Sequence, residues 1–126
     1  MLVFALAAMA AGGAAAAPKW VKVAAERDVD VFADTASIRP GKVVKMTALR
    51  NLRAPAQHQN VQYRSEELYF EFDCEGRRIG QSGRRLRVGP MATDSPFAYF
   101  QATPARLRPV ESGSLDEKLW KVACGK

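Results

Sequence analysis

The chain has few of the residues that bind metals or form dense disulfide networks. Its 126 residues include one histidine, His58, and two cysteines, Cys74 and Cys124. These counts exclude a histidine-rich metal site and a zinc knuckle built from four cysteines. The length is that of one small domain, which also excludes a large multidomain enzyme.

Acidic residues are outnumbered by basic ones. The chain has 19 Lys and Arg against 13 Asp and Glu, which gives a formal net charge of +6. Hydrophobic residues make up 48% of the sequence, enough for a packed core, so a disordered chain is excluded. The positive charge favours an acidic partner, either a polyanion or an acidic protein. We expect no nucleic-acid partner, because no recognition motif of that class is present.

An uncharged stretch opens the sequence. Residues 2–17 are apolar or small. A short apolar run that ends in small residues indicates a secretory signal peptide, and it falls short of the roughly 20 strongly apolar residues that span a bilayer. We therefore expect a signal peptide over residues 1–16, an exported domain over residues 17–126 and no stable membrane anchor after cleavage. Cleavage one residue later, which releases Pro18, is the less favoured alternative.

Export determines how the two cysteines are interpreted. In an oxidising compartment an even pair of cysteines is most simply one disulfide, and no Cys-x-x-Cys redox motif is present. A bond between Cys74 and Cys124 closes a loop of ~50 residues, for which chain entropy gives at most about 4 kcal/mol of stabilisation.

Short alternating segments separated by turn residues predict an antiparallel sheet. The segment 64–74 is the most informative, because alternation places Leu68, Phe70, Phe72 and Cys74 on one face of the sheet. The predicted strands are 20–25, 29–33, 43–52, 64–74, 77–88 and 97–101. Residues 53–60 are predicted to form a loop, and residues 104–109 are predicted to be irregular.

The C-terminal segment predicts the one helix. Ser114 and Glu117 have the spacing of a capping box, and an apolar stripe follows them. Cys124 at the end of this helix, bonded to Cys74, holds the helix on the apolar side of the sheet. The predicted fold class is therefore α+β: a single antiparallel β-sheet with one C-terminal α-helix packed on its apolar face and tethered by a disulfide.

Arginines in the second half of the chain are the main binding candidates. If residues 77–88 form a continuous strand, Arg77, Arg85 and Arg87 share one face, and the remaining arginines of that strand share the other. Tyr69 lies opposite the apolar face, where it is a candidate interface anchor, including for a homodimer. The candidate binding residues are thus Arg77, Arg85, Arg87 and Tyr69, with solvated surface arginines as the alternative. The other aromatic residues, Trp20 and Tyr99 among them, are predicted to lie in the core.

No set of residues in the sequence predicts catalysis. The carboxylates of Glu71 and Asp73 share the polar face of a strand, and no serine has a histidine or lysine beside it. His58 has no further ligand residue near it and is predicted to be a loop histidine. We therefore predict a protein that is not an enzyme, with no cofactor and no metal site.

Several segments in order along the chain resemble the surface-adhesin protein E family of Gram-negative bacteria. These segments are Trp20-Val21-Lys22-Val23, Asp34-Thr35-Ala36-Ser37-Ile38-Arg39, Val43-Val44-Lys45-Met46, Tyr63-Arg64-Ser65, Phe72-Asp73-Cys74, Gly89-Pro90-Met91, Gly113-Ser114 and Leu119-Trp120-Lys121-Val122-Ala123-Cys124. The resemblance implies an exported protein with an antiparallel sheet and a helix tethered to it by a disulfide. It also implies host extracellular-matrix proteins as partners, and a homodimer.

Two functional hypotheses follow from the sequence. The first is an exported, non-enzymatic binding module of the cell envelope, adhesin-like, that binds host matrix proteins or polyanions. The alternative is a periplasmic structural or accessory protein without a host ligand. The second is favoured by the lack of a cysteine near the cleavage site that would carry a lipid anchor. Both locations, periplasm and cell surface, stay open at this point.

Overall fold

Antiparallel pairing organises the chain in the computed structural model, which describes residues 17–101 and 104–126. The predicted signal peptide, residues 1–16, lies outside the described residues. The strands are β1 (Trp20–Glu26), β2 (Val29–Asp34), β3 (Val44–His58), β4 (Val61–Asp73), β5 (Arg78–Arg87), β6 (Pro96–Gln101) and β7 (Arg108–Pro109). One helix, α1 (Leu115–Cys124), follows them, and two short 3₁₀ turns lie at Thr35–Ser37 and Pro90–Ala92.

The strands form a single sheet. β1 to β6 pair antiparallel in chain order, and β7 pairs with the start of β5. The short β7 lies within the segment 104–109 that was predicted to be irregular. No helix in the described part of the chain has the length and apolar character needed to cross a membrane.

One face of the sheet carries the main core, and we call it the helix face. Leu68, Phe70 and Phe72 of β4 are buried there as the alternation predicts. They pack with residues of the neighbouring strands and with the buried side of α1, which is formed by Leu119, Trp120 and Ala123. The predicted fold class, an antiparallel sheet with one C-terminal helix on its apolar face, is confirmed.

The helix is fixed at both ends. The Ser114 hydroxyl accepts a hydrogen bond from the Glu117 amide at 3.1 Å, and Gly125 ends the helix in the left-handed conformation. Cys74 and Cys124 form the predicted disulfide, with their Cα atoms 5.7 Å apart. The bond joins the C-terminal end of α1 to the residue that follows β4.

The prediction of a loop at residues 53–60 is wrong. β3 continues to His58, and β4 begins at Val61 after a two-residue turn in which Gln59 and Asn60 have positive φ angles. Two-residue hairpin turns of this kind match the twist of the strands. Pro55 lies in the stretch between Asn51 and Ala56 where the pairing register shifts, and an irregular stretch tolerates proline.

The predicted distribution of arginines on β5 is also wrong. Arg77 lies in the turn before the strand, with a φ of 50°. A register shift at Ser82 then changes the parity, since Phe70 pairs with Gln81 and Tyr69 with Gly83. As a result Arg78, Arg85 and Arg87 share one face, and Arg84 lies on the helix face with Ile79 and Leu86.

The face opposite the helix, which we call the open face, is covered only in part. The turn at Pro90–Ala92 packs over one end of it. The Met91 amide donates to Asn51 Oδ1 at 2.7 Å, and the Ser65 hydroxyl donates to the Gly89 carbonyl at 2.6 Å. Ser65, whose hydroxyl also accepts from the Ala92 amide at 3.0 Å, is buried beneath this cover.

Candidate binding surface on the open face

Two rows of side chains cross the open face at right angles to the strands. The first row is Trp20, Asp34, Thr47, Tyr69 and Gly83. The second row is Lys22, Phe32, Leu49, Glu67, Arg85 and Tyr99. The open face thereby brings two of the predicted binding residues, Tyr69 and Arg85, into adjacent rows.

Tyr69 and Tyr99 form an aromatic pair over Gly83. Their ring centres are 6.2 Å apart, and Tyr99 keeps 52% of its surface exposed. A Cβ atom at Gly83 would lie 2.9 Å from the Phe100 carbonyl oxygen and 3.5 Å from the Tyr69 ring. Glycine is therefore required here for β6 and the Tyr69 ring to approach β5. Burial, followed by the charge of Glu67, raises the pKa of Tyr69, so its hydroxyl stays protonated at neutral pH.

Arg85 extends this aromatic pair. Its guanidinium lies 5.4 Å from the centre of the Tyr99 ring, a cation–π contact between cross-strand partners. Within residues 17–101 and 104–126, Arg85 has no carboxylate partner at ion-pair distance. A planar guanidinium beside two tyrosines is suited to bind a carboxylate or another oxyanion.

Arg87 has a different environment. Its Nε donates to Glu67 Oε1 in a close ion pair, and its Nη1 donates to the Asp94 carbonyl at 3.0 Å. These contacts hold the segment after β5 against β4 and neutralise Glu67. Arg87 thus supports the open face instead of offering a free charge.

Arg77 lies away from the open face. Its Nη2 is 2.9 Å from Glu117 Oε2, and its guanidinium lies over the Trp120 ring. Arg77 therefore fastens the β4–β5 turn to the helix. Of the four predicted binding residues, Tyr69, Arg85 and Arg87 are brought together and Arg77 is separate.

A groove on the open face lies beside Tyr69 and was missed by the sequence analysis. Its volume is about 320 Å³, and its lining includes Trp20, Ser37, Arg39, Thr47 and Glu67. The prediction that Trp20 belongs to the core is wrong, because Trp20 is half-buried at the side of this groove. The signal that could have found it is parity: Trp20 alternates in phase with the polar Lys22 on β1.

The walls of the groove are held by hydrogen bonds. Asp34 Oδ1 accepts from the amides of Lys19 at 2.8 Å and Ala36 at 3.0 Å. The Ser37 hydroxyl accepts from the Thr47 amide at 2.8 Å. The buried Asp34 carboxylate is thus satisfied by backbone donors, and Lys19, directly before β1, is fixed beside the groove.

A second aromatic cluster lies on the helix face. His58, predicted to be a loop histidine, ends β3 and contacts Phe100 edge-on at 5.3 Å, while Tyr63 lies 6.1 Å from Phe97. Arg84 stacks on Phe100 at 4.5 Å. These contacts hold the end of the β3–β4 hairpin against β6, which is a structural role.

A buried carboxylate supports this cluster. Glu66 is 3% exposed, accepts a hydrogen bond from the Tyr63 hydroxyl at 3.1 Å and pairs with Arg50 at 3.1 Å. Burial, followed by the charge of Glu66, raises the pKa of Tyr63. In the described residues, no group of three or more histidine, cysteine or acidic side chains is placed to hold a metal ion.

Comparison with known proteins identifies the family of this chain and supports its fold. A model of the surface-adhesin protein E family matches residues 20–125. The crystal structure of protein E from non-typeable Haemophilus influenzae superposes with a TM-score of 0.67 at 13% identity, covering 84% of this chain and 75% of that one. A second crystal form of Haemophilus influenzae protein E gives a TM-score of 0.65 at 13% identity, covering 83% and 96% of the two chains. A search of curated proteins found no match. At such identities the solved structures establish the shared fold.

Proposed function

Because this chain belongs to the surface-adhesin protein E family, we propose that it is an exported, adhesin-like protein of the cell envelope that binds molecules of a host surface or matrix. The family is one of adhesins and not of enzymes, so the proposed role is binding without catalysis. Export is supported by the signal-like residues 1–16.

The observation that carries this proposal is the open-face surface formed by Tyr69, Tyr99 and Arg85. Tyrosine and arginine are enriched among the residues that contribute most to binding at protein interfaces. Tyr99 is exposed, and Arg85 is held in place by stacking without an ion-pair partner in the described residues. Both are therefore available to a ligand without the loss of an existing ion pair.

Binding of the exported protein to an immobilised basement-membrane extract tests the proposal. We expect saturable binding that weakens by about tenfold in Arg85→Ala and in Tyr99→Ala. Lys118→Ala is the matched control, because it removes one exposed positive charge from the helix, which packs on the opposite face of the sheet. Absence of saturable binding, or equal losses in Arg85→Ala and Lys118→Ala, would contradict the proposal.

The location of the protein in the cell distinguishes this proposal from a periplasmic accessory role. A tag placed after Lys126 is followed while intact cells are treated with an external protease. Loss of the tag, with a periplasmic control protein spared, is the expected result for a surface adhesin. Protection of the tag until the outer membrane is opened would instead favour the periplasmic role.

We also propose a homodimer, for which the outer edge of β6 is the surface. Among the described strands β1 and β6 each pair with one neighbour only, and β6 is the edge strand that carries the exposed Tyr99. Light scattering over a range of protein concentrations tests this. Measuring the Tyr99→Ala variant in the same way separates a loss of dimerisation from a loss of ligand contact.

A further inference from the structure

We infer that the open face binds an acidic oligosaccharide that lies across the strands, from the groove at Trp20 to the tyrosine pair at the other side. This inference rests on the proposed adhesin-like function and names the class of ligand for it. Four features carry it: the groove, the row of aromatic side chains, the unpaired guanidiniums and the direction of the row.

The groove has the size and the lining of a small-ligand site. Its volume of about 320 Å³ lies at the lower end of the range for such sites. Trp20 supplies an aromatic surface, and Thr47 and Ser37 lie in the lining as hydroxyl-bearing residues. One sugar ring placed here meets an apolar surface on one side and polar atoms on the other, which matches the two kinds of surface that a sugar ring presents.

The aromatic side chains continue beyond the groove. Tyr69 is the direct cross-strand neighbour of Thr47, and Tyr99 follows it two strands further along the sheet. Strands lie about 4.8 Å apart, so the backbones at Trp20 and Tyr69 are separated by about 14 Å, and the Tyr99 ring centre lies 6.2 Å from that of Tyr69. A chain of several sugar rings spans this distance, and tyrosine and tryptophan offer both a flat apolar face and a polar tip to it.

The charges on this surface favour an anion. Arg39 donates only to the carbonyls of Ala36 and Ile38, and Arg85 stacks on Tyr99, so neither is neutralised by a carboxylate in the described residues. Two carboxylates also line the groove: Glu67 is paired with Arg87, and Asp34 is buried and accepts hydrogen bonds from the amides of Lys19 and Ala36. Glu71 lies outside the lining of the groove, as the cross-strand neighbour of Lys45. Two free guanidiniums therefore remain for the carboxylates or sulfates of the ligand.

The direction of the row distinguishes a glycan from an extended peptide. A peptide that adds to a sheet runs parallel to an edge strand and binds through backbone hydrogen bonds. The line from Trp20 through Tyr69 to Tyr99 crosses the face of the sheet, where β2 to β5 are paired with a strand on each side. A ligand in this direction must bind through side chains and ring faces.

Titration of the exported protein with defined oligosaccharides tests the inference. The probes are heparin oligosaccharides, which carry sulfates and carboxylates, and hyaluronan oligosaccharides, which carry carboxylates only. We expect saturable binding of heparin that weakens with salt. Binding of hyaluronan as well would assign the carboxylates as the groups recognised, and binding of heparin alone would assign the sulfates.

Variants locate the site. Trp20→Ala and Arg39→Gln are expected to weaken binding by about 5- to 10-fold, and Trp20→Phe is expected to restore part of the loss. Arg27→Gln is the matched control, because Arg27 is an exposed arginine in the β1–β2 turn and its loss changes the net charge equally. Circular dichroism of each variant checks that the fold is retained.

Two results with the oligosaccharides and variants would overturn the inference. One is the absence of saturable binding to either oligosaccharide, and the other is an equal effect of Arg39→Gln and Arg27→Gln, which would mean that net charge alone is responsible. If binding to the basement-membrane extract survives removal of its glycans by lyases, the glycan inference fails and the adhesin-like function stands. If the untreated extract is not bound either, both fail.

Discussion

The guanidinium of Arg77 lies 4.6 Å from the centre of the Trp120 ring, so the turn after β4 is stacked on the helix that the disulfide also holds. The Trp120 Nε1–H donates to the Asp73 carbonyl at 3.1 Å in the same place. Trp120 is buried and therefore cannot leave this position without opening the core. Sheet and helix are joined here by covalent, polar and aromatic contacts together.

Replacing Arg77 tests how much its stacking on Trp120 contributes to the free energy of unfolding. Arg77→Ala loses both the contact with Trp120 and the ion pair with Glu117, while Arg77→Lys keeps a charge but loses the planar stack. Because the side chain is about half exposed, we expect a loss of about 0.5–1 kcal/mol in the free energy of unfolding for Arg77→Ala. Urea denaturation measures this, with Lys118→Ala as a control that changes stability little. An Arg77→Lys variant as stable as wild type would assign the effect to charge alone.

The disulfide is expected to supply much of the stability of the domain. Cys124→Ser frees the helix end, and removal of a native disulfide from a small exported domain costs about 2–5 kcal/mol. Urea unfolding of wild type with and without reductant gives the same comparison without a mutation. Two reactive thiols per chain in the non-reduced, exported protein would show that the bond does not form.

The ion pair between the partly exposed Arg50 and the buried Glu66 offers a double-mutant test. Arg50→Ala leaves the Glu66 carboxylate buried with only the Tyr63 hydroxyl, which we expect to cost about 1–3 kcal/mol, since Arg50 is itself partly exposed. Replacing both residues by apolar ones, Arg50→Met with Glu66→Leu, removes the unpaired charge and is expected to recover most of this loss. A double variant less stable than Arg50→Ala would mean that the polar contacts themselves specify the hairpin.

The periodicity of apolar residues and the local turn chemistry were sufficient to predict most of the fold, because both are properties of short stretches of sequence. Alternation placed Leu68, Phe70 and Phe72 on one face, and the spacing of Ser114 and Glu117 marked the start of the helix. The disulfide followed from export and from an even cysteine count. These inferences need no knowledge of which strands are neighbours.

The binding surface required information that no local pattern carries. A single register shift at Ser82 moved Arg84 and Arg85 onto faces that a continuous alternation does not give them. Trp20 and Arg39 come together with Thr47 only through the pairing of three strands. Pro55 and the polar residues around His58 looked like a loop, because the hairpin depends on tertiary contacts with Phe97 and Phe100.

Acid is expected to weaken the attachment of the helix. The Gly113 amide and then the Arg77 guanidinium lower the pKa of Glu117, and the Gly76 amide and then Arg78 lower the pKa of Asp73. A lowered pKa in the folded state gives stability that is fully present above the unfolded-chain pKa values of about 4. This stability is lost as the pH falls through the lower folded values. Urea midpoints measured from pH 6 to pH 2 check this, and Glu117→Gln should flatten the curve.

Gly83 tests whether the tyrosine pair depends on the close approach of β6. A Cβ atom at this position meets the Phe100 carbonyl oxygen at 2.9 Å, and backbone cannot move aside as a flexible side chain does. We expect Gly83→Ala to cost about 1–3 kcal/mol and to displace Tyr99 from Tyr69. Gly41→Ala is the comparison, because its nearest contact, the Val43 carbonyl oxygen at 3.2 Å, leaves more room. Urea denaturation measures the stability, and near-ultraviolet circular dichroism reports the tyrosine environment. If Gly83→Ala keeps wild-type stability and ligand binding, the glycine is not what holds Tyr69 and Tyr99 in the arrangement that the binding proposal requires.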